Sequence, residues 1–255
     1  MKIIPLFSGS SGNSTLIKSE SGNILIDAGI SLPKLLKMLK MHGESLESIS
    51  AILITHTHKD HVSGMQRLVF SKPHMKVFGG ADAEKYALCT GFESFSAGDK
   101  ITVANKEISI FPVPHDVPCY GFTVTDGVEK IGYATDIGEV TDNTIAHLEG
   151  AKTVMIESNY DDTLLENGDY PIFLKRRISS VHGHLSNNQC QKACEKLFAL
   201  GTQNFILAHL SEQNNTPEIA YQHVRDGFSQ MGAKQFCDYN LTVAKRGFEA
   251  ESLLD

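Results

Sequence analysis

Features that stabilise exported proteins or anchor membrane proteins are scarce in this sequence. It has no tryptophan. Its five cysteines are odd in number and scattered along the chain, which predicts reduced thiols in a cytoplasmic protein rather than disulfides. These cysteines are Cys89, Cys119, Cys190, Cys194 and Cys237. No stretch approaches the roughly 18 apolar residues of a membrane-spanning helix. The N-terminal segment turns polar too soon for a signal peptide, so we expect neither export nor membrane insertion.

Positive charge is also in the minority. Lysine and arginine number 23 against 30 aspartates and glutamates, which gives a formal net charge of -7. This balance argues against a protein that binds nucleic acid through a broad basic face. It leaves room for a local phosphate pocket, because a bound metal ion adds positive charge that the count ignores.

Low-complexity linkers and short repeats are missing, which predicts one domain of two similar halves over residues 1–255. A chain that is 41% hydrophobic can bury an adequate core at this length, so a metal ion would serve chemistry rather than folding. Apolar runs bounded by turn residues predict strands at 3–7, 14–18, 23–27, 51–54, 76–78, 107–111, 120–125, 130–134, 152–156, 204–208 and 241–245. Helical periodicity predicts helices at 31–42, 62–70, 81–89, 141–148, 171–178, 186–199 and 216–231. Such a mixture predicts an α/β (α+β) fold in which two sheets pack face to face with helices outside.

The chemistry concentrates in one short segment. The apolar run 51–54 is followed directly by His56, His58, Asp60 and His61. Imidazole and carboxylate are the usual ligands of zinc, manganese and iron. In an extended segment His56 and His58 point the same way, and a helix beginning after them would turn Asp60 and His61 towards a second position. A histidine-rich surface turn would explain a single histidine but not four ligand-type residues at this spacing.

The pattern His-x-His-x-Asp-His after an apolar strand resembles the signature of the metallo-β-lactamase superfamily. The resemblance extends over most of the chain and includes four further segments, each an apolar run that ends in a candidate site residue or glycine: 24–29, 111–115, 132–136 and 205–209. It implies a four-layer αββα sandwich. It also implies that a rigid scaffold delivers each ligand from the end of a strand.

The resemblance implies two divalent metal ions, zinc, manganese or iron, held by His56, His58, Asp60, His61, His115, Asp136 and His209. His56, His58 and His115 would hold one ion. The remaining ligands would hold the other, with Asp136 as the bridge. Asp27, in the segment 24–29, would orient a ligand histidine from behind. From residue type alone, His115 and His209 could equally be core histidines and Asp136 a cap or turn residue.

The expected chemistry follows from the metal charge. Two divalent ions lower the pKa of a bridging water, so that hydroxide is available near neutral pH, and they polarise the substrate oxygen. Because Asp60 would hold one of these ions, we place it among the catalytic residues as well as among the ligands.

The stretch from Glu157 to Ser211 resembles the tRNase Z and phosphodiesterase branch of the superfamily. His184 would act as general acid or bind the scissile phosphate, Glu157 would orient it, and His182 would be a neighbouring substrate contact. The alternative is that 181–184 is only a turn before a helix that Ser186 caps.

Spacing separates this chain from other branches. Asp136 follows His115 by only 21 positions, which leaves no room for a tRNA-gripping arm, and His209 follows Asp136 by 73, too few for an inserted β-CASP domain. Asp at 136, rather than the Cys of one large class, disfavours a β-lactamase, and the short chain after His209 disfavours a glyoxalase II-like thioesterase.

What remains is similar to the YycJ/WalJ (VicX) group, through the segments 8–14, 114–116, 181–186 and 209–215. This resemblance implies a DNA exonuclease acting from 5′ ends. Ser211, Asn214 and Asn215 could bind substrate or cap the next helix. The loop 8–14 could offer backbone N–H groups to a phosphate or be a flexible turn, and the basic run 175–177 could contact a nucleic-acid backbone or be a solvated helix face.

Three functions therefore stay open at this point. The first is a metal-dependent phosphodiesterase, a 5′ to 3′ DNA exonuclease. The second is a hydrolase of small or cyclic phosphodiesters, which the acidic charge and the missing nucleic-acid clamp favour. The third is a non-catalytic regulatory protein of the same fold, against which the intact ligand set counts.

Overall fold

A computed structural model describes residues 1–88 and 91–244. These residues form two compact units, Met1–Ile110 and Phe111–Ala244. Cys89 and the end of the helix predicted at 81–89 lie outside the described residues. The single domain predicted over 1–255 stays a prediction.

The first unit contains a six-stranded sheet in the order β1-β2-β3-β4-β5-β6. Its strands are β1 Lys2–Phe7, β2 Ser14–Lys18, β3 Asn23–Ile26, β4 Ile49–Leu53, β5 Lys76–Gly79 and β6 Phe92–Ser94. β1, β2 and β3 pair antiparallel, whereas β3 to β6 pair parallel. β3 and β4 are almost continuously apolar and buried, as expected for parallel strands covered on both faces.

Helices connect these strands. They are α1 Leu32–Met41, α2 Lys59–Val62 and α3 Met65–Ser71, with 3₁₀ turns at Leu46–Ser48 and Ala81–Tyr86. β7 Lys100–Val103 and β8 Lys106–Val113 follow in the chain and pair antiparallel as a hairpin. The unit has its own core, in which Leu35 and Met38 of α1 and Met65 of α3 pack with Leu25 and Ile52 from the sheet.

The second sheet has seven strands in the order β13-β12-β11-β10-β9-β8-β7, and β9 to β13 belong to the second unit. The strands are β9 Cys119–Thr125, β10 Lys130–Ala134, β11 Thr153–Glu157, β12 Asn204–Ala208 and β13 Asn240–Val243. The helices are α4 Asp142–Leu148, α5 Asp162–Asn167, α6 Ile172–Ile178, α7 Asn187–Ala199 and α8 Pro217–Gln230. β10, β11, β12 and β13 are parallel neighbours, and β9 pairs antiparallel with β10.

The core of the second unit lies between its sheet and the long helices. Cys190 and Cys194 of α7 and Phe228 of α8 pack with Phe205 and Leu207 of β12. Burying a side chain such as Phe228 contributes about 1.5–3 kcal/mol. Cys190, Ala193, Cys194 and Leu197 form the buried face of α7.

The predicted fold class is confirmed: the fold is mixed α/β, with two sheets flanked by helices. Ser186 caps α7 as predicted, and Gln189 completes a capping box. The helix predicted at 62–70 is instead split between α2 and α3. Among the described residues, no helix is long and apolar enough to cross a membrane.

Candidate metal-binding residues

The first unit brings three imidazoles of the His-x-His-x-Asp-His segment together. β4 ends at Leu53, and α2 begins at Lys59, so the segment turns from extended to helical between His58 and Asp60, as predicted. The ring centroids of His56 and His58 are 4.7 Å apart, and those of His56 and His61 are 4.1 Å apart. Three nitrogen ligands of the kind that zinc and manganese accept are thus clustered.

Asp27 holds one of these histidines. Its carboxylate Oδ2 lies 2.7 Å from Nδ1 of His61, and its two oxygens accept hydrogen bonds from the backbone N–H and the hydroxyl of Thr55, both at 2.8 Å. Burial raises the pKa of Asp27, although the neighbouring His61 opposes that shift. A carboxylate on Nδ1 fixes the histidine tautomer in which Nε2 carries the lone pair that a metal needs.

Asn13 is a member of this arrangement that the sequence prediction missed. Its buried side-chain amide donates to Oδ2 of Asp60 at 3.1 Å and lies 2.9 Å from Nε2 of His61. Its backbone N–H donates to the carbonyl of Asp60 at 2.7 Å. Asn13 therefore fixes two predicted ligands, and the resemblance of the segment 8–14 was the only signal for it.

The same contacts show what the loop 8–14 does. The Gly9 N–H donates to Oδ1 of Asn13, the Gly12 N–H to the carbonyl of Gly9, and the Asn13 N–H to Asp60. Three of its amides are thus engaged within the unit. These bonds indicate that the loop 8–14 holds the metal-binding segment in place. They do not favour binding of a phosphate by the amides of the loop.

Close backbone approach explains a glycine of the segment 24–29. A Cβ on Gly29 would lie 1.6 Å from the carbonyl oxygen of Asp60 and 2.8 Å from the backbone nitrogen of Asn13. Because both of those groups are backbone, they could not move aside as a flexible side chain can. Gly29 therefore lets the turn after β3 pack against the segment that carries Asp60.

In the second unit, three adjacent parallel strands deliver acidic and imidazole groups to one edge. Asp136 follows the end of β10, Glu157 is the last residue of β11, and His209 follows the end of β12. Ala134 pairs with Ile156, and Glu157 pairs with Ala208, so the carboxyl ends of these strands are level. The parallel register thus places the three side chains beside one another.

Glu157 is the hub of this cluster. Its Oε1 lies 2.9 Å from Nδ1 of His184 and 2.6 Å from Nδ1 of His209. Its Oε2 accepts hydrogen bonds from the backbone N–H groups of Ile137 and Leu185, both at 3.0 Å. Burial would raise the pKa of Glu157, but the two histidines together lower it. The carboxylate therefore stays ionised although it is fully buried.

The side chains around Glu157 fit a divalent cation. Ligand atoms of Asp136, Glu157, His184 and His209 all lie within 4.8 Å of one another. Nδ1 of His209 is 3.4 Å from Oδ1 of Asp136, and Nδ1 of His184 is 4.0 Å from it. Mixed imidazole and carboxylate donors suit zinc, manganese and iron, and the bond from Glu157 to Nδ1 of His209 leaves Nε2 of that ring as the ligand atom.

His115, like His209, has its Nδ1 beside an oxygen atom, but the oxygen belongs to a backbone carbonyl. Its Nδ1 lies 3.1 Å from the carbonyl oxygen of Gly183, and burial lowers its pKa, which favours the neutral imidazole that binds metals. Its Nε2 is 3.3 Å from Oδ1 of Asp116. Asp116 in turn accepts from Nε of Arg177 at 3.0 Å, a link that the sequence prediction missed although it noted both segments.

Three of these residues have a left-handed backbone. The φ angles of Asp27, Asp136 and His209 are 60°, 56° and 57°. For a residue with a side chain this conformation costs about 1–2 kcal/mol. Strain of this kind is concentrated at functional sites, and here each strained residue lies at the end of a parallel strand.

The predicted substrate-binding residues differ in exposure. His182 is exposed, whereas Ser211, Asn214 and Asn215 are buried. The side-chain amide of Asn215 donates to the carbonyl groups of Ser158 and Asn159 at 2.9 and 3.1 Å. These bonds give Asn215 a role in joining two loops of the second unit, and its contact with substrate stays a prediction.

The same loop supports His209 through another residue that was not predicted. Asn159 donates from its side-chain amide to the carbonyl oxygen of His209 at 2.7 Å. Ser211 accepts from the backbone N–H of Asn214 at 3.2 Å. Substrate contact by Ser211 and Asn214 stays a prediction, and helix α8 is capped by Thr216 instead.

Comparison with known proteins gives two kinds of similarity in sequence. The family model described as the β-lactamase superfamily domain matches residues 22–210. The exodeoxyribonuclease WalJ of Streptococcus pneumoniae is 31% identical over 242 residues, which cover 88% of this chain and 87% of that protein. The exodeoxyribonuclease YycJ of Bacillus anthracis is 31% identical over 235 residues, covering 89% of each chain.

A solved structure agrees on the fold. The metallo-β-lactamase fold protein YhfI from Bacillus subtilis superposes with a TM-score of 0.75, covering 96% of this chain and 97% of that one. Its sequence identity is 20%, so this similarity bears on the fold alone.

Proposed function

This chain belongs to the β-lactamase superfamily, and from that premise we propose that it digests DNA from 5′ ends with the help of two divalent metal ions. It is a metal-dependent hydrolase of the exonuclease type, since its relatives WalJ and YycJ are exodeoxyribonucleases matched over nearly nine tenths of their length. The direction of digestion, the choice of DNA and the number of ions are the proposed parts.

The contact that carries the proposal is the buried carboxylate of Glu157 between two histidines. It bonds to Nδ1 of His209, a predicted metal ligand, and to Nδ1 of His184, the predicted acid. One anion therefore fixes the tautomers of both rings. Such a shared carboxylate suits a hydrolase that holds a metal and donates a proton at the same centre.

The proposed ligands are the seven named from the sequence: His56, His58, Asp60, His61, His115, Asp136 and His209. Each of His61, His115 and His209 has its Nδ1 beside a carboxylate or carbonyl oxygen, so Nε2 is the unprotonated nitrogen that would bind a metal. Divalent ions, when bound, lower the pKa of water and neutralise charge that develops on a phosphate.

The residues of the chain supply the remaining steps. The ring of His184 is about one fifth exposed, so a substrate can approach it while Glu157 holds its Nδ1–H. We assign proton donation to the leaving oxygen to its other nitrogen, Nε2. Asp27 and Glu157 touch ligand or acid rings and not the substrate, so they act as positioning residues.

The assay that tests the proposal compares three substrates. Protein loaded with Mn²⁺ is incubated with DNA labelled at the 5′ or 3′ end, with the matching RNA, and with bis(p-nitrophenyl) phosphate. We expect stepwise digestion of DNA, with the 5′ label released first as a mononucleotide. Cleavage of the small ester alone would assign the chain to small phosphodiesters, and cleavage of none of the substrates would favour a non-catalytic protein.

A further inference from the structure

Helix α6, Ile172–Ile178, is unusual among the described helices because none of its residues is buried. Two large apolar side chains at its start are open to solvent, Ile172 at 64% and Phe173 at 71% exposure. Val181, in the turn that follows, is 55% exposed. Neighbouring exposed apolar side chains such as Ile172 and Phe173 are a feature of binding surfaces.

The same helix carries the densest basic run of an otherwise acidic chain. Lys175, Arg176 and Arg177 form its last turn, whereas the chain as a whole has a formal net charge of -7. Residues three and four positions apart share one face of a helix. Phe173 therefore lies on the same face as Arg176 and Arg177. An exposed aromatic ring beside arginines is the combination that binds single-stranded nucleic acid, through base stacking and phosphate neutralisation.

Helix α6 is joined directly to the residues around Glu157. The carbonyl of Ile178, its last residue, accepts the backbone N–H of His184 at 2.9 Å. Arg177 donates from Nε to Asp116 at 3.0 Å, and Asp116 lies 3.3 Å from Nε2 of His115. A strand bound along α6 would therefore run next to the predicted acid and one predicted metal ligand.

Close packing at a glycine joins the end of α6 to the turn that follows it. A Cβ on Gly183, between His182 and His184, would lie 2.3 Å from the carbonyl oxygen of Arg177 and 2.1 Å from that of Ile178. The turn 181–184 therefore packs directly on the end of α6. A ligand held by α6 would keep a fixed position relative to His184.

We propose that the exposed face of α6 is the binding surface for a single strand of DNA outside the catalytic centre, with Phe173 stacking on a base and Arg176 contacting a phosphate. The inference rests on the proposed function. It gives a chain of negative net charge a local basic surface that can bind nucleic acid. Arg177 contributes by holding α6 against Asp116, so it is a positioning residue for this surface.

The test measures binding and catalysis separately. The dissociation constant for a fluorescent single-stranded oligothymidine is determined by anisotropy with the metal chelated, at several salt concentrations, for the wild type and for Phe173→Ala, Phe173→Tyr and Arg176→Ala. Turnover of bis(p-nitrophenyl) phosphate by the metal-loaded proteins is measured in parallel. Arg67→Ala and Phe70→Ala are the matched controls, because they remove an exposed arginine and phenylalanine three positions apart on helix α3.

We expect Phe173→Ala to weaken DNA binding by about tenfold, since stacking on one base accounts for that much. Phe173→Tyr keeps an aromatic ring and should bind like the wild type. Arg176→Ala is expected to reduce the salt dependence of binding by about 0.7 in the log–log slope, the value for one phosphate contact on a single strand. Turnover of the small ester should stay at the wild-type level in all variants, and the controls should bind DNA normally.

Other outcomes would overturn the inference. DNA binding that is unchanged in Phe173→Ala and Arg176→Ala, or lowered equally by the two controls, would remove α6 as the surface. Binding of anionic lipid vesicles or a protein, without binding of the oligonucleotide, would assign the patch to that partner. If the wild type binds DNA through α6 but digests none, the surface stands and the proposed exonuclease activity fails.

Discussion

Oε1 of Glu157 lies 2.6 Å from Nδ1 of His209, and both side chains are buried. The same oxygen is 2.9 Å from Nδ1 of His184. A single carboxylate therefore determines how a predicted metal ligand and a predicted proton donor present their other nitrogen atoms. Because Oε2 is held by two backbone N–H groups, Glu157 has little freedom to turn away.

Replacing Glu157 by Gln tests this role. Glutamine keeps the size but removes the negative charge, so we expect the affinity for Mn²⁺ to fall about 10–100-fold, as for other residues that orient a ligand histidine. Titration of the apoprotein with Mn²⁺ measures this effect.

Glu166→Gln is the control for that experiment, because Glu166 is an exposed glutamate of the same unit. It should bind Mn²⁺ like the wild type. Wild-type affinity in Glu157→Gln would mean that the buried carboxylate is only part of the packing.

Asn13→Ala should destabilise the first unit and weaken metal binding together. The side chain of Asn13 donates to Asp60 and accepts from Gly9, so its removal leaves buried polar groups without partners. Such a loss costs about 1–3 kcal/mol. Urea denaturation of the apoprotein measures it. Asn188→Ala, which removes an exposed amide, should change the free energy of unfolding by less than about 0.5 kcal/mol.

Gly29→Ala adds only one methyl group but should lower the free energy of unfolding substantially. The added methyl would collide with the backbone carbonyl of Asp60, and we expect a loss of about 3 kcal/mol, at the upper end for overpacking. Gly43→Ala is the comparison, because Gly43 has a φ of 72° with nothing within 4 Å of its Cβ position. It should lose only about 1 kcal/mol, from the backbone conformation alone. Equal losses in the two variants would contradict the proposed collision.

The strands that hold the candidate ligands could be predicted because their signals are strong. β3, β4, β10, β11 and β12 are apolar runs that end in turn residues, and each lies within a residue or two of its expected position. β6 and β7 were missed, since Phe92–Ser94 and Lys100–Val103 are short and partly exposed and so have no clear apolar pattern.

Contacts between distant segments were harder to predict. Asn13 reaches Asp60 across 47 positions, and Asp116 reaches Arg177 across 61. No sequence periodicity marks either pair, because each contact depends on how distant loops fold towards one another. The helix predicted at 62–70 was wrong in its start for a related reason: the N–H of Gly64 donates to the distant carbonyl of Ala28 at 2.8 Å, between the end of α2 and the start of α3.

Alkaline pH should destabilise the protein through Tyr160. Burial, with help from Asp162 and Glu157, raises its pKa to about 12. The unfolded chain loses the phenolic proton near pH 10. Between these values the folded state retains a proton that the unfolded state has lost, so stability falls as the pH rises from 10 to 12.

Tyr160→Phe isolates that contribution. The wild type should lose about 1 kcal/mol through this group by pH 11, and the variant should lack that part of the decline. Denaturant unfolding at pH 9 and pH 11 measures the difference. Parallel declines in both proteins would show that Tyr160 is not responsible.

Asp136 is the residue on which the proposed metal site depends most directly. Its carboxylate lies 3.4 Å from the ring of His209, on a strained backbone at the end of β10. Asp142→Ala is the control, because it removes an exposed aspartate from the nearby helix α4. We would measure the rate at which Mn²⁺-loaded protein releases nucleotides from 5′-labelled DNA, together with the bound metal and the circular dichroism spectrum. We expect Asp136→Ala to lose bound metal and at least about 10²-fold in rate while keeping the wild-type spectrum, and Asp142→Ala to be unchanged. Digestion by Asp136→Ala at the wild-type rate, with its metal retained, would contradict the proposed metal site.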